Sequence, residues 1–176
     1  MSARSKPKIL LTGTPGCGKT TLINRVVKKL NRPVRGFFTS EIRKKGTRVG
    51  FEVETFSQPS RRGILSRIDI KSRHRVGKYG VDIETFEDIV LPEVRIGMQM
   101  NSLIVIDEIG KMELFSSRFK DMLANLFESD TALLATILVK PHPFCDKLKS
   151  CDDVELITVD RGNRDKLVEE IVSKLG

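Results

Sequence analysis

The amino-acid sequence predicts an α/β architecture, a mostly parallel central sheet flanked by helices, with a β-hairpin insertion near residues 40–70. Three observations carry that expectation. Apolar runs of strand length alternate with stretches of helical periodicity. One run, Leu103-Ile104-Val105-Ile106, is apolar at every position, as a strand covered on both faces must be. Residues 34–42 and 49–56 alternate about Lys44-Lys45-Gly46-Thr47, the pattern of two strands and a hairpin turn.

The elements follow in order. Lys8-Ile9-Leu10-Leu11-Thr12 is a buried strand stopped by Gly13. Residues 20–30 place Leu22, Ile23, Val26, Val27 and Leu30 on one helical face, and Asn31 and Pro33 end it. After the hairpin, 57–63 is a loop, 64–70 a short strand, and the basic segment 71–80 is expected to be irregular. A helix over 83–100 is bent or split by Pro92. Residues 116–127 form a helix with Phe119, Met122, Leu123, Leu126 and Phe127 on its core side. Strands over 131–139 and 154–159 and a helix over 163–175 complete the chain, and one strand is expected between the first strand and the 103–106 strand.

Size and composition bound the function. With 176 residues, 39% hydrophobic and 31% charged, the chain is expected to form a single domain over 1–176, and disordered or fibrous classes are excluded. Its longest apolar stretch, residues 132–139 with Thr136 inside it, is far short of the roughly twenty residues a membrane helix needs. Three cysteines, Cys17, Cys145 and Cys151, make no disulfide framework, so a cytoplasmic protein is expected, with a monomer favoured. The net charge of +8 is uneven: residues 1–80 carry 20 Lys and Arg against 4 Asp and Glu. Such a basic half suits an anionic ligand, a polyphosphate or a nucleic acid, unless the fold pairs it with the acidic half.

The chemistry begins at Gly13-Thr14-Pro15-Gly16-Cys17-Gly18-Lys19-Thr20, which fits the phosphate-loop pattern G-x-x-x-x-G-K-[ST] with a strand before it and a helix after. Glycines let backbone N–H groups turn inward around a polyphosphate, and the helix N-terminus adds positive potential. In that arrangement Lys19 reaches the β- and γ-phosphates, the Thr20 hydroxyl binds Mg²⁺, and Thr21 follows in the same first turn. Asp107 ends an apolar strand, the position of a Mg²⁺-side carboxylate, and Glu108 beside it can activate the attacking water. Lys19 and Glu108 are therefore the catalytic candidates, and Thr20 and Asp107 the metal-side ones. The segment 61–78 offers Arg61, Arg62, Arg67, Arg73 and Arg75 as candidates to complete the phosphate cage, and it has no aromatic pattern for stacking bases. A nucleic-acid partner is accordingly not favoured. His142, Cys145 and Cys151 lack the paired spacing of a zinc site and are read as loop and core residues.

Asp107-Glu108-Ile109-Gly110-Lys111-Met112-Glu113-Leu114 resembles the hallmark of a small nucleoside-triphosphatase family, called cancer-related or thermophilic NTPases. Gly36-Phe37-Phe38-Thr39-Ser40-Glu41-Ile42-Arg43, Val76-Gly77-Lys78-Tyr79-Gly80-Val81-Asp82 and Asn163-Arg164 resemble further blocks of that family, in the same order over nearly the whole chain. The resemblance implies a P-loop NTPase fold and a Mg²⁺-dependent hydrolase of ATP, GTP, CTP and UTP, loose in base selectivity and weaker on diphosphates. It further implies phosphate contacts from Gly13 to Thr20, Asn163 and Arg164 near the base, and Lys111 near the phosphates. One departure is Thr136-Ile137-Leu138-Val139, where relatives tend to read T-I-P, so a base-contacting loop there is expected to differ. Two other readings stand beside hydrolysis: a nucleoside or small-molecule kinase, and a nucleotide-gated switch or nucleic-acid-associated module.

Overall fold

The computed structural model describes residues 6–176. Strand β1 (Lys8–Thr12) is buried along its length and turns into helix α1 (Lys19–Lys29). Strands β2 (Val34–Lys44) and β3 (Thr47–Thr55) form the hairpin, with Lys45 and Gly46 both at positive φ in its turn. Strand β4 (Arg62–Arg67) is followed by β5 (Arg75–Val76) and β6 (Tyr79–Val81). Helix α2 (Ile83–Gln99) leads to β7 (Leu103–Ile109), α3 (Ser117–Glu128) and β8 (Leu133–Ile137). Helix α4 (Pro143–Lys149), β9 (Val154–Thr158) and α5 (Arg164–Leu175) end the chain.

The nine strands of the described residues join one sheet in the order β5-β6-β4-β3-β2-β7-β8-β1-β9. The five strands from β2 to β9 are parallel, and β8 is the strand inserted between β1 and β7. Strands β3, β4, β6 and β5 continue the sheet antiparallel beyond β2. The hairpin insertion is thus a wing of the same sheet, and it reaches Val81 rather than stopping near residue 70.

Several expectations are corrected. The segment 71–80 is not irregular throughout: Arg75–Val76 and Tyr79–Val81 pair about Gly77, whose φ of +55° suits the turn. The strand placed at 64–70 is Arg62–Arg67. The strand ending at Ile106 runs on to Ile109. Residues 143–149 form α4, hidden from periodicity because a helix so short shows barely two turns.

Helix α2 passes Pro92 unbroken, and the reason lies outside the helix. Proline has no N–H to donate to the carbonyl four residues back, that of Asp88. Arg61 Nη1 donates to the Asp88 oxygen at 2.9 Å and fills the vacant bond. Side-chain caps start the two helices on this face: Asp82 Oδ1 accepts from the Thr85 N–H at 3.0 Å, and Ser116 Oγ from the Phe119 N–H at 2.9 Å.

Two cores lie on the two faces of the sheet. Helices α2, α3 and α4 cover one, where Phe37, Phe86 and Phe119 meet edge to face with ring centroids 5.1–5.8 Å apart. Each such pair adds about 0.5–1.5 kcal/mol beyond area burial. Helices α1 and α5 cover the other, with Leu22, Ile23 and Val26 against Val168 and Ile171. The basic and acidic halves do pair across the fold: Arg25 with Asp165, Lys29 with Glu169 and Lys8 with Asp153. No helix of the described residues is long and apolar enough to cross a membrane.

Candidate active site

The parallel strands bring both motifs to one edge of the sheet, since ligands of such sheets sit beyond the strands' carboxyl ends. The loop between β1 and α1 has Gly13, Gly16 and Gly18 at positive φ. Two of these glycines also leave no room for a side chain. A Cβ on Gly13 would lie 2.4 Å from the Val159 carbonyl oxygen, and one on Gly18 would lie 2.8 Å from the Arg164 side chain. Gly18 caps α1 without a side-chain bond, so the first-turn N–H groups face an anion site. Lys19 Nζ donates to the Gly13 oxygen at 2.8 Å and the Thr14 oxygen at 3.2 Å, which holds its ammonium over the loop. Thr14, Pro15, Gly16, Thr20 and Thr21 are exposed, whereas Cys17 is buried. Thr14, Pro15, Gly16 and Cys17 line a cavity of about 310 Å³ with Asp160 and Arg161.

Asp107 and Glu108 sit where the β7–β8 pairing is interrupted, between Ile106 and Ile109. Asp107 is 4% exposed, and its Oδ1 accepts from Thr136 Oγ1 on β8 at 2.6 Å. Thr39 Oγ1 on β2 donates to the Asp107 carbonyl at 3.3 Å. Glu108 is half-buried, and desolvation, then the neighbouring Asp107 charge, raises its carboxyl above the usual range; Lys19 opposes the rise. Deeper in, Glu113 is fully buried, and desolvation pushes it up to about 8. The two glutamates converge on Gly110, whose Cβ would stand 2.8 Å from Glu108 Oε1 and 2.9 Å from Glu113 Oε2.

The remaining candidates take different places. Asn163 organises the turn after β9: its Oδ1 accepts from the Asp160 N–H at 2.9 Å and its Nδ2 donates to the Thr158 oxygen at 2.8 Å. Arg164 lies against Gly18, and its Nε is buried, 4.0 Å from Asp165 Oδ1 and without a hydrogen-bond partner among the described residues. Lys111 is exposed beyond Glu108. The basic segment is largely committed elsewhere: Arg61 to Asp88, Arg62 to Glu54, Arg67 to Asp69 and Arg75 to the Lys78 carbonyl. Leu138, from the departing Thr-Ile-Leu-Val block, stands beside Glu108. Cys145 is buried in α4, where desolvation raises its thiol to about 11, and all three cysteines are free.

Sequence reasoning missed Thr136, Thr39, Asp160, Arg161 and Glu113. Signals existed for three of them: Thr136 is the single polar residue inside the run 132–139, and Thr39 and Glu113 lie inside the blocks 36–43 and 107–114. For Mg²⁺ the test is the donor set. Among the described residues no three His, Cys, Asp or Glu side chains converge on a metal. One hydroxyl, Thr20, and one carboxylate, Asp107, remain, and such a sparse oxygen set fits a cation that keeps its waters and takes substrate phosphate oxygens.

A family model described as NTPase matches residues 8–172. The chain is 40% identical over 168 residues to the nucleoside-triphosphatase THEP1 of Thermotoga maritima, covering 96% of this chain and 95% of that one. It is also 40% identical to the human cancer-related nucleoside-triphosphatase over 181 residues, with 94% of each chain covered. The crystal structure of THEP1 from Aquifex aeolicus superposes with a TM-score of 0.85 at 35% identity, over 96% of this chain and 98% of that one. Loop, sheet order and relatives agree, and the chain belongs to this family of P-loop nucleoside-triphosphatases.

Proposed function

We propose that the chain cleaves the terminal phosphoanhydride of ATP, GTP, CTP and UTP with Mg²⁺, and acts more weakly on diphosphates. The observation that carries this reading is the meeting of the Lys19 loop and Glu108 at one sheet edge, with a carboxyl tuned upward toward proton-accepting strength. The nucleotide's phosphates lie along Gly13 to Thr20, under the α1 N-terminus. Lys19 exchanges its loop carbonyls for the β- and γ-oxygens. Thr20 and Asp107 would hold Mg²⁺, which would supply neutralisation of phosphate charge. Glu108 takes a proton from water as the water oxygen bonds the γ-phosphorus and the bond to the bridging oxygen breaks. The nucleoside diphosphate then leaves.

Base selectivity follows from the flank of the loop. Asp160 and Arg161 are exposed and open to solvent, which supports tolerance of several bases, with Asn163 and Arg164 beside them. Lys111 approaches the phosphates from the Glu108 side. We place the protein in the cytoplasm, as a monomer, where three free thiols remain reduced.

The test is inorganic phosphate release from the four triphosphates with Mg²⁺ and no acceptor, for the wild type, Glu108→Gln and Lys19→Ala. Release from all four is expected, with a loss of about 10²–10⁴-fold in Glu108→Gln at unchanged nucleotide affinity. Lys19→Ala loses turnover and affinity together. Undiminished turnover in either variant defeats the assignment.

A further inference from the structure

Two further cavities adjoin the site on the side away from Asp160 and Arg161. The first, of about 300 Å³, lies against Glu108 and is walled by Thr39, Phe51, Leu65, Met112 and Leu138. The second, of about 380 Å³, is lined by Arg75, Leu114, Phe115 and His142. Val76 and Lys111 line both, so the two adjoin. Sheet order explains the placement. The nucleotide loop belongs to the β1–β9 side, whereas Thr39, Phe51 and Leu65 come from β2, β3 and β4, and Glu108 on β7 stands between.

This groove has more structure than one water requires. Its inner lobe is apolar apart from Thr39, Lys111 and the carboxyls of Glu108 and Glu113. Its outer lobe carries three nitrogen-bearing side chains, of Arg75, Lys111 and His142. His142 lines this lobe, and its Nδ1 is buried with no hydrogen-bond partner among the described residues. Arg75 is fixed in place by its bond to the Lys78 carbonyl at 2.7 Å, and the His74 ring packs on Phe115 at 5.0 Å between centroids.

We propose that the groove is a second-substrate site for a hydroxyl-bearing organic anion, whose hydroxyl takes the place of water at Glu108. The anionic end sits among Arg75, Lys111 and His142, and the apolar body lies on Phe51, Leu65 and Leu138. In the transfer, the acceptor oxygen bonds the γ-phosphorus, its proton passes to Glu108, and the bond from phosphorus to the bridging oxygen breaks. A phosphate monoester and a nucleoside diphosphate result. The inference rests on the proposed roles of Lys19 and Glu108 and adds an acceptor to the same site.

The experiment uses the full chain with Mg²⁺ and ATP, and para-hydroxymethylbenzoate as the probe: its ring suits the inner lobe, its carboxylate the outer one, its alcohol Glu108. ADP and inorganic phosphate are measured together. Without the probe, hydrolysis makes the two equal; with it, ADP is expected to exceed phosphate by the amount of phosphoester formed. His142→Ala is expected to lose that excess while keeping phosphate release without the probe. Equal ADP and phosphate at saturating probe, with hydrolysis intact, overturns the acceptor site alone. Inhibition of phosphate release without any phosphoester overturns the transfer step. Absence of hydrolysis without the probe defeats the earlier reading instead.

Discussion

Thr136 Oγ1 donates to Asp107 Oδ1 at 2.6 Å, across the point where the β7–β8 ladder is interrupted. Both residues are buried, so the hydroxyl orients one carboxylate oxygen and leaves the other for the proposed Mg²⁺. Thr136→Val keeps the shape and removes the donor. A charged acceptor deprived of its bond costs about 1.5–3 kcal/mol of stability. Loosening the metal-side carboxylate lowers activity about 10–100-fold. Urea unfolding and phosphate release at graded Mg²⁺ measure the two effects, and the Mg²⁺ requirement rises.

With Glu108 as the proposed base, its carboxyl is expected to set the acid limb of the pH profile. Its carboxyl is raised above the ordinary 4.5 by desolvation first and by Asp107 second. A protonated carboxyl cannot accept the proton of water, so kcat falls as pH drops through that raised value. The limb lies above the range of an ordinary glutamate, and it is absent from what activity remains in Glu108→Gln.

Gly110 separates the two glutamates. Gly110→Ala places a Cβ 2.8 Å from Glu108 Oε1 and 2.9 Å from Glu113 Oε2. Carboxylate ends move more readily than backbone, so the fold persists with a loss of about 1–3 kcal/mol. Activity falls further, by about 10²-fold, because the base is displaced from the attacking oxygen. Melting temperature and phosphate release separate the outcomes.

Glu113 makes stability pH-dependent. Its folded value of about 8 lies above the unfolded 4.5, so the protonated, buried form is the stable one. That stabilisation is complete below about 4.5 and is lost as pH rises through about 8. Glu113→Gln is neutral throughout, so its urea midpoint declines less between these values than the wild type's, Glu108 alone of the two raised carboxyls still titrating. Parallel declines in both proteins would place the titration elsewhere.

Much of this protein follows from local chemistry. Gly13 to Thr20 reads as a phosphate cradle because glycines at fixed spacing permit one backbone shape. Leu103 to Ile106 reads as a central strand because only a doubly covered strand is apolar at every position, and the Asp-Glu pair after it marks the sheet edge. The hairpin turn, the helical faces of α1 and α3 and the side-chain caps are equally local.

What tertiary structure decided is whatever depends on partners distant in sequence. Pro92 argues for a broken helix until Arg61, 27 residues before Asp88, supplies the missing donor. Asp107 is an exposed strand end until β8 inserts beside β7 and brings Thr136 to it. Arg62 and Arg67 are candidate cage residues until the antiparallel wing ties them to Glu54 and Asp69. Periodicity and turn chemistry describe neighbours within a turn or two of chain, whereas the pairing of charges, the filling of orphaned bonds and the walls of a cavity arise only when strands distant in sequence lie side by side.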